Sequence, residues 1–279
     1  METIRKWIEN RLYEIDDKVD KCQDVLTSNL FDPNDIWYKF ATSMRNVVIP
    51  IALTIITICF LIEFLKITMQ MDILKWEYGL KCISKLIFAK VCIDVSTYFL
   101  DAVYSTAAEW IANAKLATIT DSRGTNINSK IGEDVWAQIQ EKVTKAKTFE
   151  LLGIFITVGI FFLAISVSMV VVQVMAYARA FEICILLSMA PLPCAFLPLE
   201  DGGMSRIPKK YFFTFASTCL SGLFMLMSIR LYEFLVHALV AESGGGDIGK
   251  HAGTLFLASI VLVIAVVKSG GWAAKIFEF

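Results

Sequence analysis

Histidine is nearly missing from this 279-residue chain: His237 and His251 are the only two, fourteen residues apart, with no HExxH around them. Such spacing gives no zinc site of the helical kind, in which two histidines share one face. The seven cysteines, Cys22, Cys59, Cys82, Cys92, Cys184, Cys194 and Cys219, include no CxxC pair and mostly stand in apolar surroundings. They read as small buried apolar residues rather than as metal ligands or a disulfide frame. No GxSxG nucleophile elbow and no P-loop occurs. The glycines at 244–246 follow no strand and read as a flexible connection, not a phosphate cradle. An excess of positive charge is lacking as well: Lys and Arg number 26 against 27 Asp and Glu, a net charge of −1. A chain that grips nucleic acid by itself carries a basic stripe instead. A secretory signal is not visible either, since Met1 leads into a charged segment and the first apolar run begins near Val47. These absences argue against an enzyme, and no cofactor and no metal are expected.

Charge of either sign is scarce, at 19% of residues, while 56% are hydrophobic. A soluble domain usually carries about a quarter charged residues. Most of the charge is gathered in 1–46, 113–150 and 199–210. Long apolar runs fill the remainder, and about 20 apolar residues suffice for a helix to cross roughly 30 Å of hydrocarbon. Runs at 47–67, 78–112, 151–175, 180–197, 211–240 and 254–268 predict an all-α fold, a polytopic transmembrane helical bundle of about five to six spans. Residues 1–46 form an amphipathic N-terminal helix and linker. Residues 47–279 form the transmembrane domain, with a polar insertion at 113–150. No repeat of whole segments appears.

Within the first segment, Ile4, Trp7, Ile8, Leu12, Ile15 and Val19 recur at helical spacing and share a face. The opposite face mixes Lys and Arg with Asp and Glu, which favours packing on protein over attraction to anionic lipid. Asp32-Pro33 marks a turn before the first span, and Pro50 is expected in the first turns of that span. Ile131, Val135, Trp136, Ile139 and Val143 give a second amphipathic pattern over 131–147. Residues 151–197 read either as two spans with a joint at 176–179 or as one long bent helix. Pro191 and Pro193 are the candidate helix break. Ser269-Gly270-Gly271 is expected to interrupt the last span.

The second apolar run holds Lys85, Lys90, Asp94 and Asp101. Lys90 and Asp94 are four apart, and Asp94 and Asp101 seven apart, so they are neighbours on a helix. A charge in lipid costs from a few kcal/mol to roughly 10 or more. The stripe therefore faces protein, an aqueous path or a subunit interface. Pairing inside the bundle and lining of a path both remain open. An aspartyl intramembrane protease needs two carboxylates sharing a proton, and Asp94 and Asp101 lie roughly 10 Å apart along one axis. Arg179 with Glu182, and Arg230 with Glu233, are candidate boundary ion pairs at i, i+3.

The C-terminal half has an order that narrows the reading. A long apolar helix leads to Leu186-Leu187-Ser188-Met189-Ala190-Pro191-Leu192-Pro193. A short charged loop, Lys209-Lys210-Tyr211-Phe212 and a helix closing on Arg230-Leu231-Tyr232-Glu233 follow. Gly246-Asp247-Ile248-Gly249 then precedes a last helix ending Lys268-Ser269-Gly270-Gly271-Trp272. Ile36-Trp37 and Val48-Ile49-Pro50-Ile51-Ala52 open the first span. This order resembles the TrbL-type channel subunits of conjugative type IV secretion systems, in the form carried by mobile elements of Gram-positive bacteria. The resemblance implies a non-enzymatic, multi-pass subunit of the bacterial cytoplasmic membrane that forms a homo-oligomeric ring. Other secretion-system subunits including an ATPase, lipid, and transiently a DNA–protein substrate are its implied partners. It also implies an N-terminus and central loop outside the cytoplasm, whereas the Lys and Arg count of the flanks favours the N-terminus inside. The alternatives are a small-molecule transporter or ion channel, which would favour internal repeats, and a membrane scaffold without a path.

Overall fold

The computed structural model describes residues 2–28, 32, 34–70, 76–116, 148–199, 206–242 and 248–277. Among these no strand occurs, and the architecture is all-α. The helices are α1 (Glu2–Thr27), α2 (Ile36–Gln70), α3 (Trp76–Leu116), α4 (Thr148–Met189), the single turn α5 (Pro191–Cys194), α6 (Arg206–Glu242) and α7 (Ile248–Phe277). Among the described residues four stretches are long and apolar enough to cross a membrane: Ile36–Lys66, Leu152–Cys194, Arg206–Leu239 and Phe256–Phe277. The run expected at 78–112, in α3, is not one of them, because its charged and polar residues dilute its apolar character. The second amphipathic pattern, at 131–147, lies outside the described residues.

Local chemistry sets where helices start and stop. Before α2, the Asp32 carboxylate accepts the Asn34 amide at 2.9 Å and the Asp32 carbonyl accepts the Asp35 amide at 2.9 Å. This side-chain-to-backbone turn aims the chain into α2. Because the polar lead-in 36–46 is itself helical, Pro50 falls well inside α2 rather than in its first turns. Residues 151–189 run in one continuous helix, so the joint at 176–179 is not a break. That helix ends at Met189, and Pro191 opens α5 at its first helical position. Pro191 has no N–H to offer Leu187, whose carbonyl instead accepts the Ala190 amide at 3.4 Å. The Tyr211 hydroxyl of α6 donates to the Leu186 carbonyl and so satisfies another of the orphaned acceptors at this end. At the other end of the chain, Ser269-Gly270-Gly271 does not interrupt α7, which continues to Phe277. An apolar span must satisfy its backbone internally, which outweighs the roughly 1 kcal/mol helix penalty of each glycine. Ser269 bonds back to the Val266 carbonyl at 2.7 Å and stays buried.

The described chain divides into two compact units, each built from separated segments. The first comprises 1–28, 110–178 and 221–272. Its core joins Ile8, Ile15, Val19 and Cys22 of α1 to Ile165, Met169 and Val172 of α4, Met225 and Ile229 of α6, and Leu262 and Val266 of α7. The apolar face of α1 is thus spent on the protein's own helices. Trp7 meets Phe155 at 4.7 Å between ring centroids, and Arg11 and Lys18 lie over the Phe162 ring at 5.1 and 4.9 Å. The Cys22 thiol donates to the Met169 carbonyl at 3.6 Å, and burial pushes its pKa up to about 11. The second unit comprises 29–109, 179–220 and 273–279. One of its clusters gathers Leu100, Tyr104 and Ala107 of α3, Ile183, Cys184 and Leu187 of α4, and Phe215 of α6. Another joins Ala52 and Ile56 of α2, Ala89 and Ile93 of α3, and Cys194 of α5.

On the outer side of α1, Glu14 sits between Arg11 and Lys18, with Lys18 at 3.1 Å. Partial burial raises the carboxyl pKa, but hydrogen bonds from Arg11 and Lys18 and their charges outweigh it and hold the pKa below its ordinary value of 4.5. A folded-state pKa below the unfolded one gives stability present above the unfolded pKa and lost as pH falls through the folded one. Glu14→Gln is therefore expected to lower the melting temperature slightly at pH 7. The gap should close as the pH falls through the lowered pKa of Glu14, and an equal gap at neutral and acid pH would refute this role for Glu14.

Candidate functional site

Helix α3 buries one face and exposes another. Ala89, Ile93, Ser96, Leu100, Tyr104 and Ala107 recur every three or four residues and are buried. Lys90, Asp94, Tyr98, Asp101, Ser105 and Glu109 keep the same rhythm on the other side and are exposed. At 1.5 Å per residue this polar line runs about 29 Å along the axis. It carries one cation, Lys90, against three carboxylates. Tyr98, at its middle, is 75% exposed.

Lys85 is grouped with this line in the sequence because it lies in the same apolar run, but the helix turns it away. Five residues before Lys90, it is rotated by about 140° at 3.6 residues per turn. It reaches Glu63 of α2 at 3.6 Å, and Glu63 is buried. The four charges thus separate: Lys85 is paired inside the unit, while Lys90, Asp94 and Asp101 remain outward. Tyr98, Ser105 and Glu109 were not named from the sequence, although their three- and four-residue spacing was the available signal. Arg45 of α2 supports the line from behind, donating from Nη2 to the carbonyls of Ile93 at 3.4 Å and Asp94 at 3.3 Å.

Residues 24–191 match the family described as TrbL/VirB6 plasmid conjugal transfer like protein. The chain belongs to the TrbL/VirB6 conjugal transfer family. It is accordingly a multi-pass membrane subunit of a conjugal transfer system, and members of this family are structural subunits, not known enzymes. The match takes in α2, α3 and α4, so the whole polar line of this TrbL/VirB6 protein lies within it. No curated protein and no solved structure matches the chain.

The remaining sequence candidates fall in two places. In the second unit, Arg179 pairs with Glu182 at 3.4 Å, and Thr218 donates to the same carboxylate at 3.4 Å. In the first unit, Arg230 pairs with Glu233 at 3.0 Å, with both side chains largely buried. Gln23 of α1 donates to Glu233 at 2.7 Å, and Arg230 also donates to the Lys115 carbonyl in the last turn of α3. Lys115 in turn meets Asp24 at 2.7 Å. This pair therefore clasps α1, the end of α3 and α6 together, a role that spacing within α6 alone does not reveal. Pro191 and Pro193 are buried at the α4–α5 joint. Among the described residues no group of three or more His, Cys, Asp and Glu side chains could hold a metal ion.

Proposed function

We propose that this TrbL/VirB6 protein is a non-enzymatic channel and scaffold subunit of a conjugative secretion system in the bacterial cytoplasmic membrane. Several copies form a ring, and the polar face of α3 borders the shared path of the DNA–protein substrate. The observation that carries this reading is the outward line from Lys90 to Glu109. Left in lipid, each of its charges would cost several kcal/mol. Turned toward an aqueous centre, or paired across a second copy, they avoid most of that cost. Lipid gives apolar helices no drive to associate, so subunits that assemble in a membrane rely on packing and polar contacts. The secretion ATPase and other subunits would engage the extramembrane segments.

Native mass spectrometry of the nanodisc-embedded particle tests the ring. A discrete mass of several copies is expected, and a clean monomer would sink the self-assembled channel. Asp94→Asn combined with Asp101→Asn should keep that mass and lower transfer in a mating assay at least several-fold. Unchanged transfer would remove the polar face from the path.

A further inference from the structure

We propose that the first turn of α6 and the last turn of α7 form a binding site for the headgroup of an anionic phospholipid. Arg206, Lys209 and Lys210 open α6, and Lys275 stands in the last turn of α7; all four are exposed. The two helix ends are brought together by Phe213 and Phe277, whose ring centroids lie 5.9 Å apart. Lys209 rests its ammonium 5.6 Å from the Phe213 centroid, which holds the cation at the surface. No carboxylate among the described residues pairs with any of the four. Four cations therefore stand on two joined helix ends.

Their position selects lipid over a soluble anion. Arg206–Leu239 and Phe256–Phe277 are both apolar enough to cross a membrane, so the cations mark one end of each span. Aromatic residues beside basic ones are the usual makeup of the membrane–water boundary. Ile207 and Ile276 are exposed at 38% and 50%, beside the cations in sequence. A phospholipid can set its phosphate on the lysines and its acyl chains on these apolar side chains, whereas a free phosphate uses only half of this surface. Basic clusters next to transmembrane helices attract anionic headgroups chiefly on the cytoplasmic side. This places the start of α6 and the end of α7 toward the cytoplasm. The inference does not rest on ring formation.

The test is a lipid titration of the full chain in detergent, read by native mass spectrometry with phosphatidylglycerol and phosphatidylcholine. Phosphatidylglycerol is expected to bind more tightly. Lys209→Gln combined with Lys210→Gln should weaken it about fivefold for each cation removed. Lys209→Arg with Lys210→Arg should restore binding, separating lost charge from misfolding, and Lys21→Gln on α1 should leave it unchanged. Equal binding of the two lipids would overturn the proposal, as would a glutamine variant that keeps its preference. Competition by glycerophosphoglycerol at lipid concentrations would overturn it in favour of a soluble anion. A single-stranded oligonucleotide that binds the native chain and fails on the glutamine variant would assign these cations to the substrate instead.

Discussion

Arg230→Ala is expected to destabilise the folded chain by on the order of 3 kcal/mol. Arg230 neutralises Glu233 and caps the end of α3 through the Lys115 carbonyl. Alanine leaves a largely buried carboxylate that still accepts from the Gln23 amide but has lost its guanidinium. Breaking one partner of such a pair costs more than the pair is worth, because the other charge stays behind uncompensated. Thermal melting in nanodiscs should therefore fall by on the order of 10 °C. Arg230→Lys should recover part of the loss, since it restores charge but not the planar fork that serves two acceptors. Replacing Arg230 and Glu233 together by methionine should recover most of it. A double variant as unstable as Arg230→Ala would show that packing, not the stranded charge, dominates.

Ile15→Ala is expected to cost about 3 kcal/mol for a different reason. Ile15 is fully buried at the centre of the core that joins α1 to α4, α6 and α7. Truncation removes buried methylene surface and leaves a cavity that neighbours from four helices cannot all close. Tyr13, exposed at 42% on the outer side of the same helix, supplies the control. Tyr13→Ala should change stability by less than about 0.5 kcal/mol. Denaturation followed by circular dichroism distinguishes the two. Equal, small effects at both positions would mean that α1 does not rest on the first unit and lies on another surface. Ile15→Asp should release α1 outright, which protease digestion of the N-terminal segment would report.

The outward face of α3 rests on similar, partly buried supports. Arg45 holds the backbone of Ile93 and Asp94 from behind, and the Lys85–Glu63 pair fixes the neighbouring stretch of α3 on α2. The polar line thus stands on a supported helix. In the proposed ring, this face meets another copy or water.

Amino-acid order by itself determined the class of this protein. Apolar runs of about 20 residues, sparse charge and the lack of any catalytic constellation specify a helical membrane chain without reference to packing, because the bilayer constrains each segment separately. The amphipathic spacing of Ile8, Ile15 and Val19 likewise announced a buried face on α1. A break at Pro191 was also legible from proline's missing amide, although Pro50 shows that an apolar helix can run through a proline. What the sequence left open is where charges point. Lys85, Lys90, Asp94 and Asp101 form one group in the chain; helical spacing already turns Lys85 from the rest, but only the packing of α2 against α3 gives it Glu63 as a partner. Arg230 and Glu233 looked like a local pair at a boundary, but Gln23 and Lys115, each more than a hundred residues away, make them a clasp. Ser269-Gly270-Gly271 looked like a break, and the helix nonetheless continues. Periodicity and composition act over one or two turns, whereas partner choice for a buried charge depends on which distant helix arrives beside it. That is decided only when the helices pack.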